Sequence, residues 1–300
     1  MNTSVVIAGV KLKNPVMTAS GTFGSGMEYS EFVDLNRLGA VVTKGVSLTP
    51  WEGNPTPRIA EVYGGMLNAI GLQNPGIDTF IKRDLEFLKN CDTTVIVNVC
   101  GKTMEEYIGV VERLADTDVD MLEINVSCPN VKEGAIAFGQ NPEALAKITK
   151  ALKEKAKQPI IMKLSPNVTD IALMAKICED NGADAVSLIN TITGMKIDIN
   201  RRSFVLANRT GGMSGPAVKP VAVRMVYQAA QAVSIPVIGM GGIVTAEDAL
   251  EFIMAGATAV AVGCANFTDP YATVKVIEGI EKYMTDNNVE DVKELTGCVR

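Results

Sequence analysis

The chain of 300 residues contains no histidine. Any acid–base chemistry it performs must therefore use another side chain, because histidine is the group that ordinarily titrates near neutral pH. Its six cysteines, at 91, 100, 128, 178, 264 and 298, form no close pairs. That spacing matches neither a zinc site nor an iron–sulfur ligand set, so no cluster is expected to be held by this chain. No apolar run approaches a membrane span, and the N-terminus lacks the charged, apolar and small-residue succession of a secretory signal. Basic runs are missing too, and 28 basic against 34 acidic residues give a net charge of −6, which argues against nucleic-acid binding. These absences together predict a cytoplasmic protein in a reduced compartment.

What is present is an ordinary globular balance, with 47% hydrophobic and 21% charged residues. The length suits one large unit, so residues 1–300 are expected to form a single domain. Alternation around Gly9 predicts a small N-terminal hairpin, placed to floor whatever follows. Beyond it, short apolar runs alternate with helix-period segments. Strands are predicted over 15–19, 40–43, 94–97, 121–126, 160–164, 185–189, 237–240 and 259–262. Helices are predicted over 29–35, 77–88, 104–115, from Asn141-Pro142, over 171–179, 220–232 and 246–254, and from Asp269-Pro270 to about Met284. Eight nearly uniformly apolar strands, each followed by a helix, predict an α/β fold, a (β/α)8 TIM barrel. Two insertions break the rhythm, at 48–76 with its prolines and Trp51, and at 192–218 with Arg201, Arg202 and Arg209. Inserted loops of this length are usually functional or disordered, and the weak polarity of residues 66–72 counts against simple disorder.

In such a barrel the strand C-termini line the mouth that carries chemistry. Here those ends hold Ser20, Lys44, Asn98, Asn125, Lys163, Asn190, Gly241-Gly242 and Gly263-Cys264. Lysines inside otherwise apolar strands, and one polar residue or glycine at every strand end, point to a site. Cys128 stands just beyond the fourth strand between Ser127 and Pro129, a poor core environment, and a thiol can be tuned toward neutrality in a chain without histidine. It is the candidate base, whereas the other five cysteines read as inert. Gly134 and Gly139 in the loop that follows predict a mobile lid. Gly101-Lys102-Thr103 mimics the end of a phosphate-binding loop, but Ile96 stands where its first glycine should be. Gly239-Met240-Gly241-Gly242 lacks the later glycine and acid of a dinucleotide fingerprint. Its position after the seventh strand, with Gly263 after the eighth, instead predicts a barrel phosphate site for a phosphate-bearing cofactor.

Several motifs carry a family resemblance: Ser20-Gly21-Thr22, Thr43-Lys44-Gly45, Asn68-Ala69-Ile70-Gly71-Leu72-Gln73-Asn74, Asn125-Val126-Ser127-Cys128-Pro129-Asn130, Lys163-Leu164-Ser165-Pro166, Gly212-Met213-Ser214-Gly215-Pro216 and Gly241-Gly242-Ile243. In this order they resemble the FMN-dependent dihydroorotate dehydrogenases over nearly the whole chain. Cysteine at 128 is similar to the cytosolic class 1 enzymes, since the membrane-associated class carries serine. The Asn68 to Gln73 loop is more like the NAD-linked catalytic subunit (class 1B) than the fumarate-linked homodimer (class 1A). Cys264 departs from the threonine expected after Gly263, with little consequence where backbone N–H groups do the binding.

The resemblance implies oxidation of (S)-dihydroorotate to orotate in pyrimidine biosynthesis, with Cys128 taking the C5 proton while a hydride passes from C6 to flavin N5. It implies substrate contacts from Lys44, Asn68, Ala69, Ile70, Gly71, Leu72, Asn125, Asn130, Asn190 and Thr191, with the N–H groups of 69–72 facing the carboxylate. FMN would be held by Ser20, Lys44, Gly45, Asn98, Asn125, Lys163, Ile189, Gly215, Gly241, Gly242, Gly263 and Cys264. The same resemblance implies an iron–sulfur partner subunit carrying FAD and a [2Fe–2S] cluster, two catalytic chains pairing with two partners. The alternatives are the fumarate-linked enzyme, another FMN barrel acting on dihydropyrimidines, and a degenerate barrel used only for assembly.

Overall fold

Eight short parallel strands close on themselves in the computed structural model, which describes residues 1–127 and 138–299. They are β1 (Val16–Thr18), β2 (Ala40–Val42), β3 (Thr94–Val99), β4 (Met121–Asn125), β5 (Ile160–Lys163), β6 (Ala185–Leu188), β7 (Val237–Met240) and β8 (Ala259–Val262). Each pairs with its sequence neighbour, and β8 pairs with β1 to complete the barrel. Strands sealed on both faces need apolar residues throughout, and every residue of β1, β2 and β4 to β8 is buried. This is the expected (β/α)8 architecture.

Side-chain caps start the outer helices where the sequence places them. Thr103, Asn141 and Asp170 accept N–H bonds at the heads of Met104–Leu114, Pro142–Lys155 and Ile171–Asp180. Thr245 and Asp248 form a reciprocal capping box on Ala246–Met254. The N-terminal hairpin pairs Val5–Ile7 with Val10–Leu12 through Ala8 and Gly9, both at positive φ, the turn that matches strand twist. Lys13 then ties it to Asp92 and the Asn36 carbonyl near the start of β3, so the hairpin does floor the barrel.

Three local expectations change. The helix predicted over 29–35 is two 3-10 turns, Tyr29–Glu31 and Leu35–Arg37, because Asp34 is extended and caps the second turn through Asn36 N–H. The helix over 77–88 takes π-type bonding at Phe80–Leu85. The final helix, Ala272–Asp286, is preceded by a separate short one, Ala265–Thr268, since Pro270 interrupts them.

The two insertions meet. Ile59–Val62 and Gly65–Asn68 from the first pair with Ile192–Met195 and Thr210–Ser214 from the second in one antiparallel sheet, in the order 192–195, 210–214, 65–68, 59–62. It has its own small apolar cluster of Ala60, Leu67, Ala69 and Leu206. No helix among the described residues is long and apolar enough to cross a membrane.

Candidate active site

The register of the barrel puts polar side chains from adjacent strands at matching heights. Asn98 on β3 lies beside Glu123 on β4, and Lys163 on β5 lies beside both Asn125 on β4 and Ser187 on β6. Their bonds converge on one carboxylate. Glu123 accepts from Asn98 Nδ2 at 2.6 Å, from Lys163 Nζ at 3.2 Å and from Ser187 Oγ at 2.8 Å. An ion pair sealed this deeply persists when its geometry is good and the remaining lone pairs are used, as they are here.

One layer closer to the mouth, Asn125 Oδ1 accepts from Asn190 Nδ2 at 3.1 Å and from the Ser127 N–H at 3.3 Å. The NH2 group of Asn125 donates to nothing among the described residues, which leaves a donor for a ring carbonyl. Asn190 Oδ1 in turn accepts the Thr191 N–H at 2.8 Å, and the Thr191 carbonyl accepts from Asn167. Thr191 packs against Gly212, where a Cβ would come within 2.6 Å of the Thr191 Cβ. Gly212 pairs with Asn68 across the small sheet. The sheet thereby delivers Asn68 to the same side of the mouth as Asn190 and Thr191.

Lys44 leaves β2 with its N–H bonded to the Gly24 carbonyl. Burial pulls its ammonium below the usual lysine range, opposed by Cys100 and reinforced by the like charge of Lys163, which places the two lysines close together. The 69–72 loop approaches this corner, since a Cβ on Gly45 would meet Leu72 Cδ2 at 3.7 Å. The expectation for its N–H groups needs one correction: that of Ala69 already donates to the Arg58 carbonyl at 2.8 Å. The N–H groups of Ile70, Gly71 and Leu72 have no acceptor among the described residues.

The cofactor residues can be tested against the expected FMN. Asn98 Oδ1 is buried without a hydrogen-bond partner, and a Cβ on Gly45 would come within 2.9 Å of it. Gly215, Gly241, Gly242 and Gly263 have N–H groups without acceptors among the described residues, and Gly215 and Gly242 are buried. Buried backbone donors rarely go unpaired, so an anionic group suits this corner. A Cβ on Gly242 would press to 2.8 Å from the Gly215 carbonyl, and one on Gly241 to 3.1 Å from Ile189 Cγ1. Ser20 sits beside this corner as well, because Gly263 faces its neighbours Ala19 and Thr22. Cys264 turns its thiol toward Ser214, and burial raises its pKa. The residues fit a phosphate-bearing cofactor with a polar ring.

A family profile described as Dihydroorotate dehydrogenase matches residues 2–284. The chain belongs to the dihydroorotate dehydrogenase family. Within the family, it is 72% identical over 300 residues to a protein of Lachnoclostridium phytofermentans named dihydroorotate dehydrogenase B (NAD(+)), catalytic subunit, covering 100% of both chains. A protein of the same name from Alkaliphilus oremlandii is 62% identical over 296 residues, covering 99% of this chain and 98% of that one. The structure of the Eimeria tenella dihydroorotate dehydrogenase with ferulenol superposes with a TM-score of 0.82 at 22% identity, over 99% of this chain and 88% of that one. At that identity the likeness speaks for the barrel alone.

Cys128, Asn130 and Gly134 lie outside the described residues, and with them most of the expected lid. Gly139 is seen, in a 3-10 turn where its N–H bonds the Val126 carbonyl at 2.9 Å. Sequence reasoning missed Glu123, Ser187, Asn167 and Gly212 as parts of the site. For Glu123 the signal was available: a carboxylate in the middle of a fully apolar strand needs partners.

Proposed function

We propose that this chain oxidises (S)-dihydroorotate to orotate in pyrimidine biosynthesis, as the catalytic subunit of an NAD-linked dihydroorotate dehydrogenase acting in the cytoplasm. The observation that carries it is the gathering of Lys44, Asn68, Asn125, Asn190 and Thr191 at one mouth, directly above the Glu123–Lys163 pair. A dihydropyrimidine carboxylate presents one anion and an edge of alternating amide donors and acceptors. Lysine with free backbone N–H groups answers the first, and carboxamides answer the second.

FMN, when bound, supplies the acceptor for the two electrons that leave the substrate. Gly215, Gly241, Gly242 and Gly263 would hold its phosphate, with Cys264 beside them. Ser20, Lys44, Gly45, Asn98, Asn125, Lys163 and Ile189 would line its ring. Lys44 and the N–H groups of Ile70, Gly71 and Leu72 bind the substrate carboxylate and fix the ring's orientation. Asn68, Asn125, Asn130 and Asn190 hold the ring edge so that the C5 proton faces Cys128, which accepts it. Lys163 keeps positive charge on the cofactor side of the pocket, where negative charge grows as the substrate is oxidised.

With no dinucleotide fingerprint and no cluster-forming cysteine spacing in the chain, electrons continue to NAD through a partner subunit carrying FAD and a [2Fe–2S] cluster, in an assembly of two catalytic and two partner chains. Anaerobic mixing with dihydroorotate tests the core of this reading. The isolated chain should bleach its flavin and reduce artificial dyes but not NAD, and Cys128→Ala should retain flavin while bleaching orders of magnitude more slowly. A mutant that bleaches as fast as wild type across pH removes Cys128 as base, and no bleaching in wild type removes the substrate.

A further inference from the structure

The carboxylate of Glu123 is 2% exposed, and its three donors Asn98, Lys163 and Ser187 are exposed by 0%, 5% and 0%. Four polar side chains from four consecutive strands, β3 to β6, are thus closed off together inside the barrel. An ionised carboxylate only accepts hydrogen bonds. That restriction has two consequences for the groups above it. Asn98 must present its NH2 to Glu123, which it does at 2.6 Å, and so must turn its oxygen the other way. That oxygen is the buried, unpartnered Oδ1 that lies against Gly45. Whatever fills the cradle therefore meets an acceptor at Asn98, as the ring N–H of an isoalloxazine requires. Lys163, meanwhile, is held from below at 3.2 Å and has part of its charge offset before any cofactor arrives.

We propose that Glu123 is a positioning residue that sets the redox poise of the site: it fixes the amide orientation of Asn98 and the place of Lys163, and its negative charge tempers the pull of Lys163 on reduced cofactor. This rests on the reading that FMN occupies the cradle. Neutral glutamine at 123 would leave the charge of Lys163 unopposed in a low-dielectric interior, where reduced FMN, the more negative form, gains most. Glutamine also offers a donor as well as an acceptor, so Asn98 loses the constraint that keeps its oxygen turned toward the cradle.

The test compares wild type, Glu123→Gln and Glu123→Asp in one and the same buffer. Two quantities are read: FMN affinity of the stripped protein by fluorescence, and the midpoint potential of bound FMN by dye-equilibrated titration. In E123Q the preference for reduced over oxidised FMN should rise about tenfold, a shift of about +30 mV for a two-electron couple. E123D keeps the charge one methylene farther from Nζ and should shift the same way by about threefold. In a Lys163→Met background the E123Q shift should shrink, because the part that runs through the Glu123–Lys163 pair is lost while the Asn98 part remains. Wild type that takes up no FMN overturns the cofactor reading and this one with it. Wild type with FMN beside an E123Q ratio within twofold of it overturns this inference alone, whatever happens to stability. Should E123Q not fold, E123D decides by the same twofold criterion.

Discussion

Gly212→Ala is the substitution that most directly tests how the substrate side of the site is assembled. Gly212 lies outside the left-handed region of backbone space, so alanine carries no conformational penalty there and the whole effect is steric. A Cβ at this position would fall within the Thr191 hydroxyl and 2.6 Å from the Thr191 Cβ. Rotating the threonine side chain removes the first clash but not the second, because Cβ does not move with χ1. Either the backbone of Thr191, pinned through Asn190 and Asn167, gives way, or the 210–214 strand lifts and takes Asn68 with it. Overpacking of this kind costs about 1–3 kcal/mol. Taken from transition-state binding, that is roughly a 5- to 150-fold fall in kcat/KM for dihydroorotate. FMN content should be unchanged, since the glycines of the cradle are untouched.

Gly194→Ala is the matched control on the same sheet, where the new Cβ meets the end of the Leu67 side chain at 3.0 Å and Met213 Cβ at an ordinary 3.9 Å. It should leave kcat/KM within about twofold of wild type. Steady-state kinetics with an artificial acceptor and flavin absorbance read all three proteins. A G212A enzyme with full flavin and kcat/KM within twofold of wild type would refute the claim that this sheet positions substrate groups.

Three further outcomes follow from the same geometry. Gly242→Ala combines a strained φ of +84° with a Cβ 2.8 Å from the Gly215 carbonyl, and should yield colourless protein on purification; normal FMN stoichiometry would contradict the cradle. Because burial, and secondarily Lys163, lowers the Lys44 pKa, and the contact proposed for it with the substrate carboxylate needs the protonated form, KM for dihydroorotate should rise on the alkaline side at a pH below the usual lysine value of 10.5. Lys44→Arg should lose that limb, which KM measured against pH will show. Glu179, held down to about 2 chiefly by the Ser234 hydroxyl, adds stability that is complete above its ordinary 4.5 and lost as pH falls through about 2. Glu179→Gln should therefore flatten the acid limb of denaturant midpoint against pH.

The barrel was legible because its signal is local. Each buried strand is a short apolar run, and capping residues such as Thr103, Asn141 and Thr245 mark helix starts within a few positions of where they fall. The strand-end residues were legible for the same reason, since closing the barrel brings all strand ends to one mouth whatever lies between them. What escaped was pairing at a distance. Nothing in residues 48–76 announces that Asn68 will sit opposite Gly212, and the glycine-rich 210–214 strand carries little side-chain pattern to reveal its register. Glu123 stood out as a carboxylate among apolar strand residues, but its partners could not be read, because they come from three other strands and no spacing along the sequence joins them. The helix expected at 29–35 failed on a competing local bond, the Asp34 cap, which favours a turn over continuation.

The insertion sheet also divides the molecule by stability. Its buried cluster is four residues, Ala60, Leu67, Ala69 and Leu206, whereas the barrel core draws on nearly every strand and helix. Its central contact joins positions 144 residues apart in sequence, so it forms only after much of the chain between them has been organised. In hydrogen exchange the amides of 65–68 and 210–214 should open at a fraction of the free energy that protects β4 and β5. Substrate entry and product release can then run through local openings of this cap, while the amides beneath it keep the protection of the fully folded barrel.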